Sequence, residues 1–290
     1  MLRILRLLVK EVFYTVLLIL GVTALLSFLF RLMPGTISFE KNWLNEYLKL
    51  LQRLFTFNFG VSPVSGLNIN RVVFPAFKNT FILTFGAILI SVIISVPIGI
   101  FSAYRSFRGI SWPLTMFSYI VSSIPVFFLG YLVIYLFTRY SNFIPIYSAT
   151  LENKRQLLAY ILPILVLGLG NDSVSEFVRI ISDELSRVMS MDYVVASKAR
   201  GESVIRSSIV EGILIPLVTI IFSRIPFLIG GAIIVEYVFN WPGMGRLAFQ
   251  STLNRDLPVL VVIAFLSVLF VRGGMIIKDI ILGFIIPQEM

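Results

Sequence analysis

Several stretches of this chain run for twenty residues or more almost without charge, and they decide its solvent before any other feature is considered. A helix that crosses a bilayer needs about 20 predominantly apolar residues. Val12 to Phe30, Thr80 to Ala103, Trp112 to Phe137, Ile213 to Phe239 and Pro258 to Phe284 meet that requirement. A shorter run, Leu157 to Leu169, turns polar at Asn171 and Asp172 and reaches spanning length only if carried to residue 176. The reading is an all-α, polytopic membrane protein with six spans, at about 12–30, 80–103, 112–137, 157–176, 213–239 and 258–284. Neither a low-complexity tract nor a clear internal repeat divides it, so 1–290 is taken as one domain. Arg31-Leu32-Met33-Pro34 lacks a small-residue cleavage site, so the first span is expected to stay as a helix rather than be removed as a signal.

Charged residues make up 13% of the chain, against roughly 25% in a soluble domain. The net charge of +9 is therefore read as cations flanking spans rather than as a nucleic-acid footprint. Cysteine and histidine are both absent, which removes disulfides, thiolate nucleophiles, Cys/His metal sites and histidine bases. No phosphate-cradling Gly-x4-Gly-Lys-Ser/Thr occurs, and no acidic cluster suggests a carboxylate metal site. Catalytic, cofactor-binding and metal-ligating residues are accordingly assigned to none.

Lys and Arg mark the cytoplasmic side of spans. Arg3, Arg6 and Lys10 precede the first span, Arg105 and Arg108 fill the second loop, and Arg179, Arg187, Lys198, Arg200 and Arg206 lie in the fourth. Both termini and the even-numbered loops are thus placed in the cytoplasm. The first loop, 31–79, carries six Lys/Arg of its own, at lower density. Its Leu51, Leu54, Phe55, Phe57 and Phe59 suggest an outer cap of short helices that packs rather than floats.

One cytoplasmic segment stands out for its small and polar residues: MDYVVASKARGES, 191–203. Ser190 can cap a helix N-terminus, with Asp192 in the first turn. Lys198 and Arg200 would close the last turn, and Gly201 can end the helix in the left-handed conformation. This predicts a helix of about ten residues, within 190–201, roughly 15 Å long. Tyr193, Ala196, Ser197 and Arg200 share one of its faces. Small side chains between an aromatic and a guanidinium suit close docking of another surface, but a solvated connector between two spans has the same composition.

Residues 192–201 are similar to the cytoplasmic EAA loop of ABC importer permeases. Asp192-Tyr193-Val194 with Lys198-Ala199-Arg200-Gly201 resembles the D-Y-V-x-x-A-x-A-K-G of the dipeptide/oligopeptide permease family, with Ser197 for the first alanine and Arg200 for the lysine. The resemblance extends along nearly the whole chain. Pro34-Gly35 resembles the start of the family's P-G-D-P, and Pro97-Ile98-Gly99 its Pro-x-Gly. Ile124-Pro125-Val126-Phe127-Phe128-Leu129-Gly130 resembles I-P-x-F-[FW]-L-G. Glu236-Tyr237-Val238-Phe239-Asn240-Trp241-Pro242-Gly243-Met244-Gly245-Arg246-Leu247 resembles E-x-V-F-x-W-P-G-x-G-x-L, and Arg255-Asp256-Leu257-Pro258 resembles R-D-Y-P. The chain departs from the pattern at Thr36, Val195, Ser182 and Ile286, and Arg224 and Arg272 have no counterpart in it.

The resemblance implies a type I-like importer transmembrane domain in the inner or plasma membrane of a prokaryote. It implies that 191–203, with Asp192, Tyr193, Ala196, Ser197, Lys198, Ala199, Arg200 and Gly201, docks into a separate ATPase subunit where ATP is bound, this chain holding no cofactor of its own. Two such ATPases, a second similar permease and an external solute-binding protein would complete the machine. Glu236, Trp241, Pro242, Gly243 and Gly245 would form a re-entrant turn at the outer mouth, beneath the binding protein; an interfacial anchor, with Trp241 in the aromatic belt, is the simpler alternative. Arg224 lies about 11 residues into its span, roughly 16 Å deep. A cation there should face a cavity or a partner, which makes it either a pathway residue or one half of a buried pair. Asn171, Asp172 and Glu176 are the candidate acids or amides.

Two other classes compete. A stand-alone secondary transporter would place coupling carboxylates or broken helices at mid-membrane, and no span has a clearly central acid. A membrane enzyme would have to work with carboxylates or serines alone. The solute implied by the resemblance is a di- or oligopeptide, with oligosaccharides and nickel carried by similar proteins. The absence of histidine speaks mildly against a metal route.

Overall fold

A computed structural model describes residues 2–32, 43–104, 108–141, 144–146, 153–170, 172–201 and 213–285. Among them the structure is helical apart from turns and one isolated bridge, Val61 to Asn68. The helices are α1 (Leu2–Leu32), α2 (Trp43–Phe55), α3 (Ile69–Ala103), α4 (Arg108–Ser122), α5 (Val126–Ser141), α6 (Asn153–Leu169), α7 (Ser173–Met189), α8 (Asp192–Ala199), α9 (Ile215–Val238), α10 (Met244–Leu253) and α11 (Leu257–Ile285). Four of them, Val9–Leu32 of α1 and the whole of α3, α9 and α11, are long and apolar enough to cross a membrane alone. The bent pairs α4/α5 and α6/α7 bring the number of spans to six when each pair counts as one.

Both bends differ from the uninterrupted third and fourth spans expected from hydropathy. The third, expected to run unbroken from Trp112 to Phe137, turns by 98° between Ser122 and Val126. Pro125 is the cause. It has no amide to donate and disfavours helical backbone at Ile124. The first helix closes with Ile124 N donating to Val121 O (3.2 Å), and the next opens with Leu129 N donating to Pro125 O (3.0 Å). The fourth bends by 50° between Leu169 and Ser173, where Asp172 takes a left-handed φ of 56°. The two bends touch: Ser175 N, just past one, donates to Ser122 Oγ, at the edge of the other (3.3 Å).

The second span also starts earlier than its apolar run. α3 begins at Ile69, eleven residues before Thr80, because Asn68 caps it by accepting from Asn70 N (3.0 Å). Asn70 in turn ties down the preceding loop, accepting from Phe59 N (3.0 Å) and donating to Phe57 O (2.6 Å). At 1.5 Å per residue α3 is about 52 Å long, against a hydrocarbon thickness of about 30 Å, so its first turns project past the membrane. There it meets α2 and the loop aromatics. Phe55, Phe57 and Phe59 gather around Phe265 of α11, with ring centroids 5.8–6.3 Å apart.

Helices in lipid approach closely where side chains are small, because lipid tails are as apolar as leucine and only packing and hydrogen bonds hold the helices together. α3 shows this along Ala87, Ser91, Ser95 and Gly99, spaced four apart. Ser91 Oγ donates to Gly168 O on α6 (2.6 Å), and Ser95 Oγ to Val174 O on α7 (3.2 Å). A Cβ at Gly168 would lie 2.8 Å from Ala87 O, and one at Gly99 would lie 2.9 Å from Ile181 Cβ. The Pro-x-Gly of this span is thus where α7 packs against α3. Apolar contacts fall into two clusters. One joins α1, α2, the start of α3 and α11; the other joins α3, α5, α6 and α9.

Candidate functional sites at the two ends of the bundle

The end that carries α10 is built around a buried carboxylate. Glu236, in the last turn of α9, is wholly shielded from solvent. After it the chain turns sharply. Phe239 N donates to Val235 O (2.9 Å) and Trp241 N to Glu236 O (2.8 Å), with Asn240 in the left-handed region at φ 55°. Arg246 stabilises that turn through Nη1 to Asn240 O (3.0 Å). α10 then begins at Met244, and Gly243 at its N-cap offers no side chain to the free amides of the first turn. Other elements supply the acceptors. Met244 N donates to Thr80 Oγ1 on α3 (2.7 Å), and Arg246 N to Glu236 Oε2 (2.9 Å). Thr80 Oγ1 itself donates to Glu236 Oε1 (2.6 Å). A carboxylate at a helix N-terminus also meets the favourable end of the helix dipole.

The glycines of this turn have a steric reason. A Cβ on Gly243 would collide with the Glu236 carboxylate, and one on Gly245 would lie 2.6 Å from Ile233 Cα. The turn is pinned to α3 as well: Trp241 Nε1 donates to Asn79 O (3.2 Å), and Asn79 Nδ2 donates to Pro242 O (2.9 Å). Trp241 is fully buried and packs edge-on against Tyr160 (4.9 Å). This corrects the picture of an anchor in the lipid interface, because the indole spends its apolar surface on α3 and α6 instead. All five residues picked from sequence, Glu236, Trp241, Pro242, Gly243 and Gly245, come together here. Thr80 and Asn79 were missed; they belong to another span, 156 or more residues away, and nothing local marks them.

At the opposite end α8 follows α7 after two residues. Ser190 does not cap it. Its hydroxyl turns back to Arg187 O (2.7 Å) at the end of α7, and the first turn of α8 instead closes on Met191, whose carbonyl accepts from Val194 N and Val195 N (both 3.0 Å). The regular helix is therefore eight residues, Asp192–Ala199, with Arg200 N still donating to Ala196 O (3.1 Å) and Gly201 at φ +72°. Val194 is buried, while Asp192, Tyr193, Val195, Ala196, Ala199, Arg200 and Gly201 are exposed and Ser197 is half-buried. Arg200 Nη2 donates to Ser197 Oγ (3.2 Å). The Lys198 side chain and residues 202–212 lie outside the described structure.

Between the ends, Arg224 of α9 is 7% exposed and forms an ion pair with Glu176 of α7. Its guanidinium also lies 5.4 Å from the Phe227 ring centre and within 3.4 Å of Asp172 O. Of the three candidate partners, Glu176 forms the ion pair, Asp172 offers its carbonyl and a nearby charge, and Asn171 lies outside the described residues. The second intramembrane cation, Arg272 of α11, pairs with Glu11 of α1 and donates from Nε to Thr15 Oγ1 (3.2 Å). Sequence reasoning found no role for it; the signal was Glu11 and Thr15 four apart on one face of α1, the arrangement that receives a cation from a neighbouring helix.

A bundle of four to six apolar spans, with a short exposed helix at one end and a hydrogen-bonded turn at the other, has the frame of a multi-pass membrane protein. Residues 95–288 match the family described as binding-protein-dependent transport system inner membrane component. The chain belongs to this family: it is the permease subunit of an ABC importer in the inner membrane. It is 29% identical over 263 residues to the oligopeptide transport system permease protein AppB of Bacillus subtilis, covering 86% of this chain and 83% of that one. It is 30% identical to the probable peptide ABC transporter permease protein y4tP of Sinorhizobium fredii, over 76% of this chain and 72% of the other. The metal-staphylopine import system permease protein CntB of Staphylococcus aureus is 26% identical, over 80% and 71%.

Proposed function

We propose that this permease takes in a short peptide, and that α8 is the helix through which a separate ATPase subunit drives it. The observation that carries the reading is the setting of α8. Val194 seats the helix on the bundle, and nearly all its other described side chains face outward. Two residues join it to α7, which packs along α3. A cleft that grips the exposed face moves α7 with it, and α3 follows through the close contacts at Gly99 and Ser95. ATP is then bound and hydrolysed on the partner, and the permease chain rocks between inward- and outward-open forms.

On the orientation given by the flanking cations, α8 is cytoplasmic and the Glu236 turn faces outside. That turn is a rigid platform at the mouth on which a solute-binding protein docks. A second, homologous permease supplies the other half of the pathway, and two ATPase subunits complete the assembly. The peptide assignment rests on the relatives named for oligopeptides and peptides. The metal-staphylopine relative makes a metal chelate the competing solute, and oligosaccharides are the third class. The bent α4/α5 and α6/α7 spans are of a kind also found in stand-alone secondary transporters, but family membership favours the ATP-driven machine.

The test is uptake by membrane vesicles loaded with ATP, with the binding protein supplied and peptides, sugars and metal chelates offered in turn. Peptide uptake that stops without ATP, together with co-purification of an ATPase, is the expected result. Uptake driven by an ion gradient alone would overturn the reading.

A further inference from the structure

A cavity of about 300 Å³ lies between α1, α2 and the first residue of α11, lined by none of the residues of either end site. Small-molecule sites begin at about that volume. One wall is a single face of α1: Ala24, Ser27, Phe28 and Arg31, at spacings of three and four. The opposite wall is Glu46, Tyr47 and Leu50 of α2. The two walls are fixed to each other, because the Tyr47 hydroxyl donates to Leu20 O (2.9 Å) and lies 3.1 Å from Thr23 Oγ1.

Three features describe an occupant. First, the cavity opens beside lipid: Leu25, Phe28 and Leu29 of the same two turns are 58%, 62% and 46% exposed on a helix long and apolar enough to span the membrane. Second, it sits at the last turns of α1 and the first of α11, where spanning helices end and headgroups begin. Third, its mostly apolar lining carries one cation and one carboxylate, Arg31 and Glu46. Glu46 Oε2 is shielded from solvent and has no hydrogen-bond partner among the described residues. A shielded carboxylate oxygen without a donor is costly.

We propose that this cavity is a lipid site selective for a phospholipid with a primary-amine headgroup, such as phosphatidylethanolamine. The Arg31 guanidinium matches the phosphate, whose two oxygens suit its paired donors. The ammonium supplies the N–H that Glu46 lacks. The glycerol and the upper acyl chain lie along Ala24, Ser27 and Leu50, and the tail stays in the bilayer. Phosphatidylcholine offers a cation without an N–H, and phosphatidylglycerol offers hydroxyl donors without a cation, so neither gives Glu46 a charge-assisted hydrogen bond. The proposal is independent of the solute carried and of the ATPase contact.

The full chain, purified in mild detergent, is titrated with phosphatidylethanolamine, phosphatidylcholine and phosphatidylglycerol of matched tails, and adducts are counted by native mass spectrometry. A charged hydrogen bond corresponds to about a tenfold preference or more for the ethanolamine lipid. Glu46→Gln is expected to erase that preference, Arg31→Gln to weaken all three lipids, and Ser27→Trp to fill the cavity and remove the adducts. Equal binding of the three lipids by the unaltered chain, or an undiminished preference in Glu46→Gln, overturns the proposal. Glu46→Gln keeps the side-chain shape, so its readout stands even where Ser27→Trp fails to fold.

Discussion

The ion pair between Arg224 and Glu176 joins the helix that leads to α8 with the helix that ends in the Glu236 turn. It is a polar link across the α7–α9 contact, with Arg224 buried and Glu176 partly exposed. Removing one partner strands the other. Arg224→Met or Glu176→Gln alone should lower stability in detergent by somewhat less than the ~3–5 kcal/mol of a fully buried pair, since Glu176 is partly exposed. The double change, Arg224→Met with Glu176→Leu, should recover most of the loss. Thermal unfolding checks the cycle. Uptake by the double variant then separates two roles: transport that returns with stability marks a structural pair, whereas a stable variant with altered solute affinity marks Arg224 as a pathway contact.

At the other end, Gly243→Ala forces a methyl into the Glu236 carboxylate, and Gly245→Ala into the backbone of α9. Each should cost about 1–3 kcal/mol, the usual penalty for overpacking. Glu236→Gln keeps the shape but weakens the bonds from Thr80 and Arg246, and should cost about as much. Unfolding midpoints of the three variants are the measurement. A midpoint unchanged in Gly243→Ala would contradict the packing described.

For α8, the two neighbours Tyr193 and Val194 should behave oppositely. Tyr193 is 41% exposed and Val194 2% exposed. Tyr193→Asp should lower the stability of the inserted chain less than Val194→Asp does and abolish recovery of the ATPase on affinity purification. Val194→Asp should destabilise the seat of the helix itself, by about 2 kcal/mol or more for an unpaired buried charge. Full recovery of the ATPase with Tyr193→Asp would remove the basis for the docking role.

Arg272 holds α1 against α11 through Glu11 and Thr15. Arg272→Met should loosen the lower half of α1 while leaving the Glu236 network intact. Cysteine pairs introduced across α1 and α11 should cross-link more slowly in that variant, and pairs across α3 and α10 at the unchanged rate.

The helical class, the spanning runs and both end motifs were legible in the sequence, because hydropathy reports the solvent and the glycine–proline turn has its own local grammar. The breaks were not. Pro125 sits inside a run whose apolar residues continue past it, and an average over a window passes through a proline without registering it; at Asp172 the loss of apolar character was visible, but not the left-handed turn behind it. The early start of α3 was hidden for the converse reason: its first turns lie outside the lipid, so capping by Asn68 determines the boundary rather than hydrophobicity. Ser190 had the right chemistry for a cap but stands one turn of chain too near α7, whose last carbonyls compete for its hydroxyl. Partners across the bundle, Thr80 with Glu236 and Glu11 with Arg272, are distant in sequence and become neighbours only once the spans are packed.

Because Glu236 reaches the leading amides of α10 from within the chain, that helix end is already neutralised. The amides of that terminus are thus spent within the chain, and an anion drawn to this rim would have to be held by a side chain such as Arg246, which lines the hollow beside the turn, rather than by the helix end.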